Sequence, residues 1–166
     1  MYIIAFSLLV IWSLIGSFDA TFYHDKKYSL HIYSESIKEH IFHTVRAICY
    51  PIIVFTLFFK NFTGIIFWIS IIVIIIDTIF FILDAFEEKY SRVRWGGLSH
   101  TESVIHLFSN TIHYSAITLI LLIKFYTPTI VYPNILSNIT LIFVVAGFIT
   151  ALQHVYRIYI YYSMKK

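Results

Sequence analysis

Five long apolar stretches, separated by polar and tyrosine-rich connections, set the pattern of the chain. They run from Tyr2 to about Phe18, from about Ile41 to Phe59, from about Phe62 to Leu83, from about Val104 to Phe125, and from about Ile135 to Leu152, continuing toward Tyr162. A membrane-spanning helix needs roughly 20 predominantly apolar residues. The pattern therefore predicts an all-α integral membrane protein: a polytopic helical bundle of five transmembrane helices, one domain over residues 1–166. Tyr50-Pro51 lies inside the second stretch and is expected to bend that helix without ending it, because proline is tolerated in membrane helices. Lys60-Asn61 marks one tight turn, and Thr127-Pro128 and Tyr132-Pro133 bracket another. The two long connections, about Asp19 to His40 and about Asp84 to Thr101, are each expected to hold a short interfacial helix.

Composition agrees with the pattern. Hydrophobic residues make up 59% and charged residues 13%, where a soluble domain carries about 25% charged residues. The single Cys49 excludes a disulfide framework and a cysteine-based zinc cluster. A net charge of +3, spread along the chain, gives no footprint for nucleic acid; the expected partner is membrane lipid or a lipophilic substrate. No basic region precedes the first apolar run, so that run reads as a membrane helix and not as a cleaved signal.

Lys and Arg set the expected orientation. Lys26, Lys27 and Lys38 lie in the first long connection, with Arg46 just inside the next helix; Lys89, Arg92 and Arg94 lie in the second; Arg157, Lys165 and Lys166 lie at the C-terminal end. The other side has Lys60 and Lys124. Five crossings bring the three basic regions together on the cytoplasmic side, with the N-terminus outside and the C-terminus cytoplasmic. The sequons at Asn61 and Asn138 fall against or inside the membrane and read as chance matches.

The acids and histidines gather at that same cytoplasmic end: Asp19 and His24 at the end of the first helix, Glu39, His40 and His43 at the start of the second, Asp77, Asp84, Glu87 and Glu88 in the third, His100, Glu102 and His106 at the start of the fourth, and His154 in the fifth. Glu39 and His43 are four apart and share a helix face, as do Glu102 and His106. Asp77 and Asp84 are two turns apart, as are His106 and His113, which puts Asp77 and His113 roughly 10 Å deeper. Asp77 is an acid set in an apolar run, and such residues are paired or functional in membranes.

The order repeats. Phe18-Asp19-Ala20 precedes Glu39-x-x-x-His43, and Leu83-Asp84-Ala85 precedes Glu102-x-x-x-His106, with Lys27-Tyr28-Ser29 and Lys89-Tyr90-Ser91 inside the two connections. This predicts parallel repeat units over 1–60 and 62–126, followed by a fifth helix at about 135–160.

Two Asp, two Glu and several His from facing helices form a di-metal ligand set. The expected metal ligands are Asp19, Glu39, His43, Asp84, Glu102 and His106. His24, His40, Asp77, Glu88, His113 and His154 are additional ligands or groups that orient them. Oxygen and imidazole donors without thiolate suit iron, manganese or zinc better than copper(I). The Glu-x-x-x-His spacing departs from the Glu-x-x-His of soluble di-iron bundles. His31 and His100 read as loop residues, Glu87 as facing water, and Arg92, Arg94 and Trp95 as an interfacial anchor.

The leading functional expectation is a membrane-embedded di-metal enzyme acting on a lipophilic substrate at the cytoplasmic side, an oxidoreductase in preference to a hydrolase. A metal transporter or sensor is an alternative, although polar residues stop beyond Asp77 and His113. A haem-binding electron carrier using His106 or His113 with His154, or a structural membrane subunit, are others.

Overall fold

The computed structural model of the protein describes residues 1–165; Lys166 of the C-terminal basic group lies outside them. Helix makes up 83% of it, and there is no strand among the described residues. Five helices are long and apolar enough to cross a membrane. Helix α1 (Tyr2–Asp19) continues into a π-helical segment, Ala20–Lys27. Helix α2 (Ile37–Val54) runs through Pro51 and also finishes in a π-helical segment, Phe55–Phe59. Helices α3 (Gly64–Ser91), α4 (His100–Tyr126) and α5 (Asn134–Ser163) complete the bundle.

The helices reach past their apolar stretches at the end that carries the acids and histidines. Helix α2 begins at Ile37, not near Ile41, and α3 continues from Leu83 to Ser91. Apolar run-length cannot show this, because Glu39, Asp84 and Glu88 turn inward and find polar partners within the bundle. Neither long connection holds the expected interfacial helix. The first is largely the continuation of α1. The second contains only a 3-10 turn, Val93–Trp95. Gly96 and Gly97 follow it at φ +85° and +104°, a region that disfavours residues with a Cβ. Ser99 then caps α4, its hydroxyl accepting the Glu102 amide at 3.3 Å.

Helix α1 packs on α4, and α2 packs on both α3 and α5. The apolar core, including Ala5, Leu9, Ile53, Leu57 and Ile120, fills the half of the bundle away from the acids. Gly147 lets α5 approach α2 closely: a Cβ there would stand 2.7 Å from the Tyr50 ring. On α3, Ile65, Ile69, Ile72, Ile76, Ile79 and Phe86 form an exposed stripe at helical spacing. Asp77 and Asp84 occupy the opposite, buried side of that helix.

Candidate metal centre

Four helices bring seven polar side chains to one place. Two groups have donor atoms close enough to surround an ion: Asp19, His24 and His106, and His24, Glu39 and His43. They share His24, whose ring centroid lies 4.1 Å from that of His43 and 5.9 Å from that of His106. Asp84 and Glu88 extend the cluster. His43 Nε2 is 3.3 Å from both Glu39 Oε1 and Asp84 Oδ1. His106 Nε2 is 3.1 Å from Asp19 Oδ1, and its Nδ1 is 2.8 Å from Glu88 Oε1.

The spacing carries chemical information. Donors that bind zinc at about 2.0–2.2 Å stand roughly 3.0–3.5 Å from one another at tetrahedral or octahedral angles. Several pairs have such separations without hydrogen-bond alignment. His24 Nε2 is 3.3 Å from Asp19 Oδ2, yet both it and His106 Nδ1 lack a hydrogen-bond partner, as does Asp84 Oδ1. Buried polar atoms are normally partnered. Each of these atoms lies across a short gap from a different neighbour, Asp19, Glu88 or His43, and leaves that requirement unmet.

Around the cluster, two arginines hold the carboxylates. Arg92 is fully buried, which corrects its reading as an interfacial anchor. The Gly96-Gly97 turn returns the chain toward α4, and Arg92 lies between Glu39 and Glu102. Its Nη1 donates to Glu39 Oε2 at 2.7 Å, and its Nη2 and Nε donate to Glu102 Oε1 at 2.6 and 2.9 Å. The guanidinium also lies over the Tyr28 ring. Burial disfavours its charge, but Glu39 and Glu102 more than offset this and hold its pKa above the usual arginine value. Ser91 Oγ donates to Glu39 as well. Glu39 Oε2 thus accepts from Arg92 and Ser91, while its Oε1 is shared by Arg92 and His43, 3.1 and 3.3 Å away. Glu102 lies outside both triads, with Oε1 engaged by Arg92.

Arg46 acts in the same way at a level closer to the bundle centre. It lies 3.4 Å from Asp77 and 3.5 Å from Asp84, and donates to Asn110 at 2.7 Å. Asp77 and His113 meet at 3.0 Å, and Tyr114 donates its hydroxyl to the same Asp77 oxygen. Trp12 stacks on the far face of His113 at 4.1 Å. His40 and His154 are stacked on each other at 4.9 Å, with His31 beside His40, and all three lie outside the two triads. His31, on the loop before α2, has its pKa lowered by partial burial and by Arg157. Glu87 pairs with Lys38 at 2.6 Å, at the edge of the bundle.

Sequence spacing gives His24 a secondary place, whereas the geometry makes it the residue common to both triads. Eight residues lead from Asp19 to Lys27, but only five from Asp84 to Lys89 in the similar second motif. The longer first interval is the π-helical segment that carries His24, and such π-helical insertions recur at functional sites. The difference in interval length is the signal that points to it.

A cavity of about 420 Å³ adjoins the cluster. Its lining includes Asp19, His24, His43, Asp84, Glu88 and His106 of the cluster, Arg46 and Asp77, and the apolar Leu14, Ile142 and Phe143. No protein-family model matches the chain, and no curated protein or solved structure shows significant similarity to it.

Proposed function

We propose that the protein is a membrane-embedded metalloenzyme that holds two divalent ions at the cytoplasmic end of its bundle and acts on a lipophilic substrate. The observation that carries this reading is a charge imbalance. Six carboxylates, Asp19, Glu39, Asp77, Asp84, Glu88 and Glu102, gather there with side-chain exposures of at most 13%. Their guanidinium partners are Arg46 and Arg92. With every carboxylate counted as ionised and every histidine as neutral, six negative charges against two positive ones leave four, the charge of two divalent ions. Uncompensated charge in such surroundings is costly, and the histidines contribute neutral imidazole donors. Short but misaligned contacts at His24, Asp84 and His106 are consistent with donors directed at ions.

The ligands in this reading are Asp19, His24, Glu39, His43 and His106, joined by Asp84 and Glu88. Arg92 and Arg46 orient Glu39 and Asp84; Asp77 and His113 support Arg46 from below. Iron, manganese and zinc all suit these donors. Paired ions of this kind polarise oxygen-bearing bonds or, as iron, support oxidation, and the mixed carboxylate and imidazole set favours oxidation. The two halves act as repeat units: the first gives Asp19, Glu39 and His43 together with His24, and the second gives Asp84, Glu88 and His106, with its matched Glu102 held by Arg92. Ser36 and Ser99 immediately precede α2 and α4, three residues before Glu39 and Glu102. The chain crosses the membrane five times with its N-terminus outside.

Elemental analysis of gently purified protein tests the reading. Near-stoichiometric metal is expected, approaching two ions per chain. His43→Ala and His106→Ala should lose metal, while His31→Ala keeps it. Full occupancy in both His43→Ala and His106→Ala, or no metal after direct reconstitution, would refute the centre. A haem spectrum lost with His154→Ala would favour the electron-carrier alternative.

A further inference from the structure

We infer that the cleft between α1 and α5 receives one acyl chain of a membrane glycerophospholipid, with its ester end at the histidines. This inference rests on the metalloenzyme reading for its chemistry, but on a separate region of the molecule for its geometry. Helix α1 packs on α4 and α5 packs on α2, while α1 and α5 are not packed along each other. The cavity occupies the space between them. It follows α1 and its π-helical continuation from Trp12 to Asp25, at most roughly 20 Å at 1.5 Å per residue.

The walls are cut back on both sides. Helix α1 presents Ser13, Gly16 and Ser17, and α5 presents Ala146 and Thr150. Nothing lies within 4 Å of where a Cβ on Gly16 would stand. That glycine therefore serves neither a close helix contact nor a turn; it leaves volume in the cleft. At the polar end, Arg157 of α5 donates to Asp25 beyond α1 at 2.7 Å and joins the two helices there. The cleft is thus closed toward the loops and open sideways, between two helices that are each long enough to span a bilayer.

The polarity of the space selects the occupant. Acids and histidines lie at the helix ends, where head groups and esters lie in a bilayer. Leu14, Ile142 and Phe143 of α1 and α5 lie deeper, where hydrocarbon lies, while Arg46, Asp77 and Asn110 line the same cavity from α2, α3 and α4. A phospholipid sliding in sideways would keep its ordinary orientation and depth. Its ester end would reach the histidines, and its chain would run down the small-residue walls. The reacting group is accordingly near the polar end of the lipid and not in the middle of its chain.

The test uses the full chain in phosphatidylcholine vesicles doped with phosphatidylcholine bearing a diazirine on one acyl chain. Irradiation and peptide mapping locate the labelled residues, and metal is measured on the same samples. Labelling should concentrate at the cleft residues of α1 and α5. Gly16→Phe and, independently, Ala146→Phe should each reduce cleft labelling at least fivefold. Ile72→Phe, on the outward stripe of α3, should leave it unchanged, and all three variants should keep their metal. Cleft labelling indifferent to both Gly16→Phe and Ala146→Phe, or labelling spread evenly over the outward faces, would overturn the inference. Metal with an unlabelled cleft would sink the cleft and spare the metal centre; a labelled, variant-sensitive cleft without metal would do the reverse.

Discussion

Arg92 offers the sharpest test of the buried charge network, because its role is independent of the identity of any metal. Replacing it with Met keeps much of the length and removes the charge. Five hydrogen bonds disappear: two to Glu39, at 2.7 and 3.1 Å, two to Glu102, at 2.9 and 2.6 Å, and one to Ser91 at 2.8 Å. Both carboxylates are fully buried, so neither can turn to water for compensation. Removing one partner of a buried ion pair costs about 3–5 kcal/mol. With about 2–4 °C per kcal/mol for a chain of this size, the apparent melting temperature should fall by roughly 6–20 °C. Tryptophan fluorescence in detergent, scanned on wild type and variant at one heating rate, measures the shift. Glu102→Gln should weaken the protein by itself, yet cost much less on top of Arg92→Met, because the uncompensated charge is then removed. A fall below about 2 °C for Arg92→Met, or strict additivity of the two substitutions, would refute the bridge.

Asp77→Asn should retain most of the metal but weaken its affinity by about 10–100-fold, because Asp77 orients Arg46 and His113 and is not itself a ligand; a competition titration with a chelator measures this. Gly147→Leu should destabilise by about 1–3 kcal/mol through its collision with Tyr50, whereas Gly16→Ala, in open space, should be neutral or slightly stabilising, and thermal scans of the two decide it. Reporter fusions after Lys60, Arg94 and Lys166 should read outside, inside and inside; an outside signal at Arg94 would overturn the proposed orientation.

Hydropathy makes the five helices legible, because a lipid-facing surface must be apolar along its whole length. Their ends are less legible. Glu39, Asp84 and Glu88 look like the start of a solvated loop, and only their inward partners reveal that the helix continues. The depth of Asp77 and His113 follows from a seven-residue spacing, and the structure brings the two side chains together. Arg92 misleads for a physical reason: Arg-Val-Arg-Trp-Gly-Gly resembles a membrane-surface anchor, and its burial depends on a left-handed turn and on Glu39, more than 50 residues earlier. His40 and His154 meet across α2 and α5. Nothing in their local sequence connects them, since helix–helix register is a tertiary property.

The proposed repeat explains a feature that separate local pairings leave as coincidence. Asp19 of the first half lies against His106 of the second, while Asp84 of the second half lies against His43 of the first. Helix packing follows the same exchange, with α1 on α4 and α3 on α2. Arg92 sits between Glu39 and Glu102, the third matched pair. Deeper in the bundle the match changes chemistry. Asp77 faces His113 in one half, and Trp12 faces Tyr50 at the corresponding positions of the other. An even pair of halves would build two like polar columns. Here one column ends in an aromatic pair, and the π-helical segment of the same half supplies His24. The asymmetry thus falls on the side of α1, the helix that borders the cleft. A two-fold ligand set can hold two ions, but it cannot by itself admit a substrate from one side. Breaking the equivalence at α1 would give the proposed centre both an additional donor and an open flank.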